Sequence, residues 1–574
     1  MFLCLFIVGA LLRLVDIWQP IDQPSWREAD VAGIARNFYQ EGMNPFYPRI
    51  DWRGDGPGYA EMELPLYPWT IAVLYKVFGF HEAIGRVVSY LLSLATLGVY
   101  IKLAVYLLPP IGAFAASAFF VFSPLVGNIS TSLQPDGLMM FCFVFAVYFF
   151  VRWLHRDSQS DYYSAMLITA LAILAKAPTA LLGIFFLLLV VSEKGVKALV
   201  QSRMWIFAAV TLTPAALWYA HARSFWLTYG NSLGVSNRIH FAGWQLFTDP
   251  TIVMGNLSAD IYHAAMPAGL VVLGLGLLFR WTEKGVRYGL YWLASVWVYY
   301  LVAGRTMSEE AFVYYHILSV PSVGLLFGEG VEALRRITFR PSVTAAFWAA
   351  PVLLLTLLAP GSSKLQVLSV MLGFGIVGMT VMSGALSACW QDGLKGPLIG
   401  STRPLLSTVV VYLGVTVVFS TLLHEVRTVY QNHTSDRRTK LYWSAQAFKS
   451  VASEPGLIGT SGGPCRDRRG APQAHNASYM FYWMDRKGFN VCLEEQSVPS
   501  LVELARKGAQ YYIFEKPYVL QPKPGLEAEL RKAFPVRQES EVAILFDLTS
   551  VSAASYALNQ TPGVSVQAAS SPLK

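Results

Sequence analysis

The chain has 574 residues, 54% of them hydrophobic and only 14% charged, with a formal net charge of +8. Soluble globular chains carry about 25% charged residues, so this composition excludes a soluble enzyme, a coiled coil and a disordered chain. What remains is an α-helical polytopic membrane protein whose excess of Lys and Arg is read first as a topology signal.

From the N-terminus, the apolar run Met1 to Trp18 has no basic leader and no small-residue cleavage site, so it reads as a retained first span. The loop that follows, residues 19–64, is acidic. Nine acids lie between Asp16 and Glu63 (Asp16, Asp22, Glu28, Asp30, Glu41, Asp51, Asp55, Glu61 and Glu63), a quarter of the 36 in the chain. A solvated loop is polar in any case, so placement says more than number. Glu28 and Asp30 open a short helix that carries Ile34 and Phe38 on one face. Glu61 and Glu63 precede residues 65–80, where Pro65, Pro68 and Lys76 interrupt the apolar pattern, and this stretch reads as a helix lying at the membrane surface.

Twelve further spans are expected near 87–107, 111–127, 136–153, 162–176, 178–193, 205–221, 262–279, 288–304, 312–330, 343–359, 365–384 and 405–423, making about thirteen with the first. The loops assigned inside hold thirteen Lys and Arg, against five in the outer loops after residue 100. That bias places the N-terminus inside and the C-terminal part outside.

Several polar residues stand at outer span ends. Asp136 follows Pro135 at the start of a span, where a helix cap and a functional acid are both open readings. Lys176, in Ala175-Lys176-Ala177-Pro178, reads as a snorkelling lysine or as a cation facing a lipid phosphate. Tyr314-Tyr315-His316 opens another span: an interfacial belt explains the tyrosines, and a lone His is more often structural than a ligand. Arg305, His221 and His240 are weaker candidates.

From about His424 the chain turns polar. Strand patterns at Leu457–Thr460, Asn490–Leu493, Tyr511–Glu515 and Val542–Leu548 alternate with helix patterns at Ala477–Lys487, Val498–Lys507 and Leu526–Phe534. Residues 425–574 therefore read as a small extracytoplasmic α/β domain with a loose tail. Cys4, Cys142 and Cys389 lie in or beside apolar stretches, whereas Cys465 and Cys492 lie in this polar part and could form a disulfide in an oxidising compartment. There is no P-loop, and no basic patch with interleaved aromatics to suggest nucleic acid.

Acids at a membrane boundary can deprotonate a hydroxyl, support a developing oxocarbenium ion, or hold a divalent cation against a phosphate. Two motifs narrow this choice. The first is Trp26-Arg27-Glu28-Ala29-Asp30-Val31-Ala32-Gly33-Ile34-Ala35-Arg36-Asn37-Phe38-Tyr39, and the second is Glu61-Met62-Glu63-Leu64-Pro65-Leu66-Tyr67-Pro68-Trp69. With Arg86, Pro135-Asp136, Ala175-Lys176-Ala177-Pro178 and Tyr314-Tyr315-His316, they resemble the GT-C glycosyltransferases that use polyprenyl-phosphate sugars. The likeness is to the branch holding protein O-mannosyltransferases and the bacterial lipid A aminoarabinose transferase, and it covers residues 1–424. One departure stands out. Aligned on Ile34-Ala35-Arg36, the usual catalytic Asp of that family falls on Arg27 and its following Glu on Glu28.

The resemblance implies a GT-C transmembrane domain over 1–424. It also implies inverting transfer of a sugar from a polyprenyl-phosphate donor to an acceptor hydroxyl, on the periplasmic side of a bacterial inner membrane. Asp30 or Glu28 would be the base, with Asp30 favoured. Glu63, Glu61 and Asp136 would support the donor site. Lys176, with His316 or Arg305, would neutralise the leaving phosphate. Members differ in their need for a divalent metal ion, which is left open, as are the sugar and the glycan, lipid or protein acceptor. Two rival readings are kept: a degenerate GT-C-like binding or assembly protein, and a lipid-linked sugar transporter, which would favour ionisable groups near the bilayer centre.

Overall fold

The computed structural model describes residues 1–14, 17–18, 20–22, 25–235, 238–336, 436–452, 456–466, 478–516 and 525–549. The expected spans 343–359, 365–384 and 405–423 lie outside the described residues, as do Asp16 and Cys389.

The first part is helical: α1 (Phe2–Leu12), α2 (Trp26–Glu41), α3 (Leu66–Phe78), α4 (Ala83–Leu107), α5 (Pro110–Phe122), α6 (Pro124–Ile129), α7 (Asp136–Arg156), α8 (Gln159–Ala175), α9 (Leu182–Lys194) and α10 (Ser202–Tyr229). It continues with α11 (Gln245–Thr248), α12 (Pro250–Ala259), α13 (Pro267–Phe279), α14 (Lys284–Ala303) and α15 (Val320–Arg336). Among the described residues, α4, α7 and the stretch Ala177–Lys194 are long and apolar enough to cross a membrane, and α1 and α5 are shorter apolar helices. Their shared core is aromatic. Tyr100 stacks on Phe120 at 4.3 Å, and Phe150 stacks on Phe186 at 3.7 Å. Small residues set the closest approach: a Cβ on Gly328 of α15 would lie 2.4 Å from the Gly112 carbonyl of α5, so these two helices meet backbone to backbone.

α2 forms because Ser25 caps it in a reciprocal box with Glu28, and it ends at Gly42, whose φ of 142° a side chain would resist. It is buried along most of its length between α3 and the C-terminal part. α3 buries Tyr67, Ile71, Ala72 and Tyr75 and exposes Val77 and Phe78.

The C-terminal part is a five-stranded sheet of β1 (Leu457–Ser461), β2 (Gly488–Val491), β3 (Ala509–Glu515), β4 (Val536–Glu539) and β5 (Ala543–Asp547), in the order β2-β1-β3-β5-β4. β1 runs parallel to β2 and β3, and β5 runs antiparallel to β3 and β4. Alternation in β3 sends Tyr511 and Ile513 to one core and Tyr512 and Phe514 to the other. The first core, with Phe448, Phe481 and Trp483, also contains Ala29 and Ala32 of α2, so sheet and helix are built on common apolar ground. Helices Ser478–Met484, Val498–Arg506 and Leu526–Ala533 and the strands fall within a few residues of their sequence patterns. The sequence reading lacked β4 and the helix Asp436–Val451. β4 is a largely exposed edge strand with no apolar alternation. The helix does carry a signal, Leu441, Ala445, Phe448 and Ala452 at helical spacing, beneath a strongly charged start. Cys465 and Cys492 are joined by a disulfide, with Cα atoms 5.1 Å apart.

Candidate functional site

The first turns of α2 place Arg27 and Asp30 three residues apart, on one face. Both are buried. Arg27 Nη2 donates to both carboxylate oxygens of Glu63, at 2.5 Å each. Arg27 Nη1 is also buried and has no hydrogen-bond partner among the described residues. Asp30 Oδ1 accepts from the indole Nε1 of Trp52 at 2.7 Å. Glu28 is employed differently. Its Oε2 accepts from the Ser25 amide and its Oε1 from the Leu133 amide, both at 3.0 Å, so each oxygen holds backbone.

Residues 61–64 include a bend at Glu63, and Glu61 and Glu63 meet different partners. Glu61 exchanges backbone hydrogen bonds with Asn231 and Leu233, accepts from Ser232 Oγ at 2.5 Å and lies 3.9 Å from Arg223. Trp218 Nε1 donates to the Met62 carbonyl at 3.0 Å, and the Leu64 amide to the Leu174 carbonyl at 3.0 Å. These bonds fix the segment between α8 and α10 and leave Glu63 for Arg27.

α8 ends at Ala175, and Lys176 is extended before the short helical turn that begins at Ala177. The Lys176 ammonium donates to Asp136 Oδ1 at 2.6 Å and lies 4.3 Å from the Tyr315 ring and 5.1 Å from that of Tyr314. Asp136 stands in the first turn of α7, where the helix dipole favours a negative charge. Its Oδ2 is buried with no hydrogen-bond partner among the described residues. Glu63 and Tyr315 lie within electrostatic reach of both Arg27 and Lys176. Four separate segments thus bring two buried ion pairs into one neighbourhood, and both cations retain N–H groups not used on their carboxylates.

The remaining candidates make other contacts. His316 is fully buried, with Nδ1 2.7 Å from Asp260 Oδ1 and Nε2 3.3 Å from the Met307 carbonyl. Ser319 Oγ donates to Asp260 Oδ2 at 3.1 Å and meets Tyr300 at 3.1 Å, closing a polar network. Asp260 lies in a π-helical turn after α12 and was not singled out in the sequence. Its signal was a lone acid within an apolar stretch. Arg305 is buried, and its amide donates to the His240 carbonyl at 3.2 Å. His240 itself bridges Thr306 and Gly234, at 2.8 and 2.7 Å. His221 packs on Phe225 and reaches the Phe46 carbonyl at 3.1 Å.

A second buried charge cluster adjoins the first. Asp51 accepts from Arg36 and Asn37 at 2.8 Å and from Lys487, just before β2, at 2.6 Å. Burial pushes the Asp51 carboxyl up, but the Arg36 guanidinium and the Lys487 ammonium outweigh it and hold the group below the usual carboxylate range. Arg36 also donates to the Tyr482 carbonyl at 2.8 Å.

Glu63 and Asp136 each already face a cation. Among the described residues the one close trio of metal-capable groups is Cys465, Cys492 and Glu494, whose sulfurs are bonded to each other. As arranged, the acids do not form a cation cage.

Residues 57–219 match the family model described as dolichyl-phosphate-mannose-protein mannosyltransferase. No curated protein matches the chain by sequence. The chain is similar in structure to ArnT from Cupriavidus metallidurans bound to undecaprenyl phosphate, at 14% identity and a TM-score of 0.57, covering 96% of this chain and 98% of that one. For the apo state of ArnT the identity is 14% and the TM-score 0.56, over 95% and 97% of the two chains. The chain has the GT-C fold. In this GT-C chain the segment matching the family model carries Glu61, Glu63, Asp136 and Lys176, while Arg27, Glu28 and Asp30 precede it and Arg305 and His316 follow it.

Proposed function

We propose that this chain is a membrane glycosyltransferase that moves a sugar from a polyprenyl-phosphate donor to an acceptor hydroxyl, with inversion at the anomeric carbon. The observation that carries the reading is the pair of buried cations, Arg27 and Lys176, held by Glu63 and Asp136 beside Asp30, with Arg27 Nη1 lacking a partner among the described residues. A buried guanidinium N–H without an acceptor is costly unless an anion meets it, and a phosphate supplies that anion. The naming of undecaprenyl phosphate as the ligand of ArnT supports the same donor class here.

In this mechanism the Asp30 carboxylate takes the proton of the acceptor hydroxyl. The hydroxyl oxygen attacks the anomeric carbon, and the bond from that carbon to the phosphate oxygen breaks. The charge that develops on the leaving polyprenyl phosphate falls to Arg27 and Lys176. Asp30 is preferred over Glu28 because both Glu28 oxygens already hold backbone amides. Arg27 thus stands where the resembling family carries an acid, as a phosphate-binding cation, and Glu63 keeps it in place. His316 serves the Asp260 network rather than the phosphate. Residues 1–424 form the transferase domain and residues 425–574 an extracytoplasmic domain. The Cys465–Cys492 bond suits an oxidising compartment.

The test is release of free polyprenyl phosphate from a panel of polyprenyl-phosphate sugars, comparing wild type with Asp30→Asn and Glu28→Gln. Release lost in Asp30→Asn alone supports the assignment. Donor binding by wild type with no release across the panel and a range of acceptors would turn the reading to a degenerate binding protein.

A further inference from the structure

Asp51–Gly54 connects the two charge clusters. β2 is the outermost strand of its sheet, so one of its edges is open for pairing. The loop takes that edge: the Gly488 amide donates to the Asp51 carbonyl at 3.0 Å, and the Gly54 amide to the Gly488 carbonyl at 2.7 Å. Lys487 adds its ion pair to Asp51. On the other side Asp51 lies flat on α2, because a Cβ on Gly33 would come within 2.6 Å of its Oδ2. Trp52 follows directly. Its ring packs partly buried between the core shared by α2 and the sheet and the core around Ile34, Ile50 and Met62. The single N–H of an indole is its only donor, and here it is spent on Asp30 Oδ1.

We infer that Trp52 is a positioning residue for Asp30, and that the edge of the C-terminal sheet holds Trp52 in place through Lys487 and Gly488. The inference rests on Asp30 being the base. A carboxylate on a helix can turn about two side-chain torsions, and a donor fixed from outside the helix selects one setting. The sheet then belongs to the catalytic apparatus through the loop it clamps.

Three variants test this in the full-length protein: Trp52→Phe, which keeps a ring and removes the N–H, Lys487→Met and Lys487→Arg. Polyprenyl phosphate release is followed as kcat and donor KM, and amide hydrogen exchange is followed over residues 26–54. Loss of a hydrogen bond to a charged group corresponds to about a tenfold to hundredfold effect. Trp52→Phe is expected to lower kcat about tenfold or more with donor KM within about twofold. Lys487→Met is expected to lower kcat in the same way and to speed exchange at Asp51–Gly54, with exchange in α7 unaltered. Lys487→Arg restores most of both. Wild-type kcat in Trp52→Phe, while Asp30→Asn is inactive, overturns the positioning role. Unaltered exchange at 51–54 in Lys487→Met overturns the clamp, whatever the substrate. Full release by Asp30→Asn instead overturns the choice of base.

Discussion

Arg27 and Glu63, 36 residues apart in the chain, meet in a buried pair in which one guanidinium nitrogen lies 2.5 Å from both carboxylate oxygens. Taking one charge away leaves the other buried and unpaired, which costs roughly 3–5 kcal/mol. Arg27→Met is therefore expected to lower thermal stability sharply in detergent. In the double variant Arg27→Met with Glu63→Met, stability should return while undecaprenyl phosphate binding stays lost. Recovery of both would mean that Arg27 serves packing alone.

Lys176 offers a different balance. It gives one hydrogen bond to Asp136 and lies over two tyrosine rings, so part of its donor capacity is available to a ligand. Lys176→Met is expected to weaken undecaprenyl phosphate binding about tenfold to hundredfold, on the scale of a charged hydrogen bond. Titration of the purified protein with that lipid reads the change. An unchanged affinity would remove Lys176 from the phosphate site.

Glu28 and Asp30 should separate cleanly. Glu28 closes the capping box of α2 and holds the Leu133 amide. Glu28→Ala is expected to cost about 1 kcal/mol of stability, as lost caps do, and to leave kcat within a few-fold once the protein is folded. A collapse of kcat in a well-folded Glu28→Ala protein would transfer the base role to Glu28.

The clamp at Asp51 carries a pH signature. Burial raises this carboxyl, and Arg36 and Lys487 more than reverse it, so its folded pKa lies below the ordinary 3.8. A group held low in the folded state adds stability that is fully present above its unfolded pKa and is lost as pH falls through its folded one. Thermal unfolding recorded between about pH 7 and pH 3 should show wild type losing stability toward the acid end. Asp51→Asn should be weaker at neutral pH and flatter with acid. A steeper acid loss in Asp51→Asn would reverse the sign and refute the pair as described.

Much of this architecture was legible because it is written in local periodicity. Hydropathy located the helices of the apolar core, and alternation located β3 between its two cores. Glu28 and Asp30 marked the start of α2, though the sequence reading gave Glu28 a catalytic alternative that its backbone hydrogen bonds argue against. Long-range pairing was not legible. Arg27 looked like a defect until Glu63 stood against it. Nothing local joins Asp51 to Lys487, 436 residues away, or His316 to Asp260, 56 residues away. The edge strand β4 escaped because an exposed strand need not alternate.

In the proposed transfer Asp30 draws the proton while Arg27 and Lys176 receive the phosphate. The most direct measurement is single-turnover release of polyprenyl phosphate by wild type and Asp30→Asn, with donor binding measured in parallel. Wild type should release polyprenyl phosphate, and Asp30→Asn should bind donor without releasing it. Equal release by both proteins would contradict it.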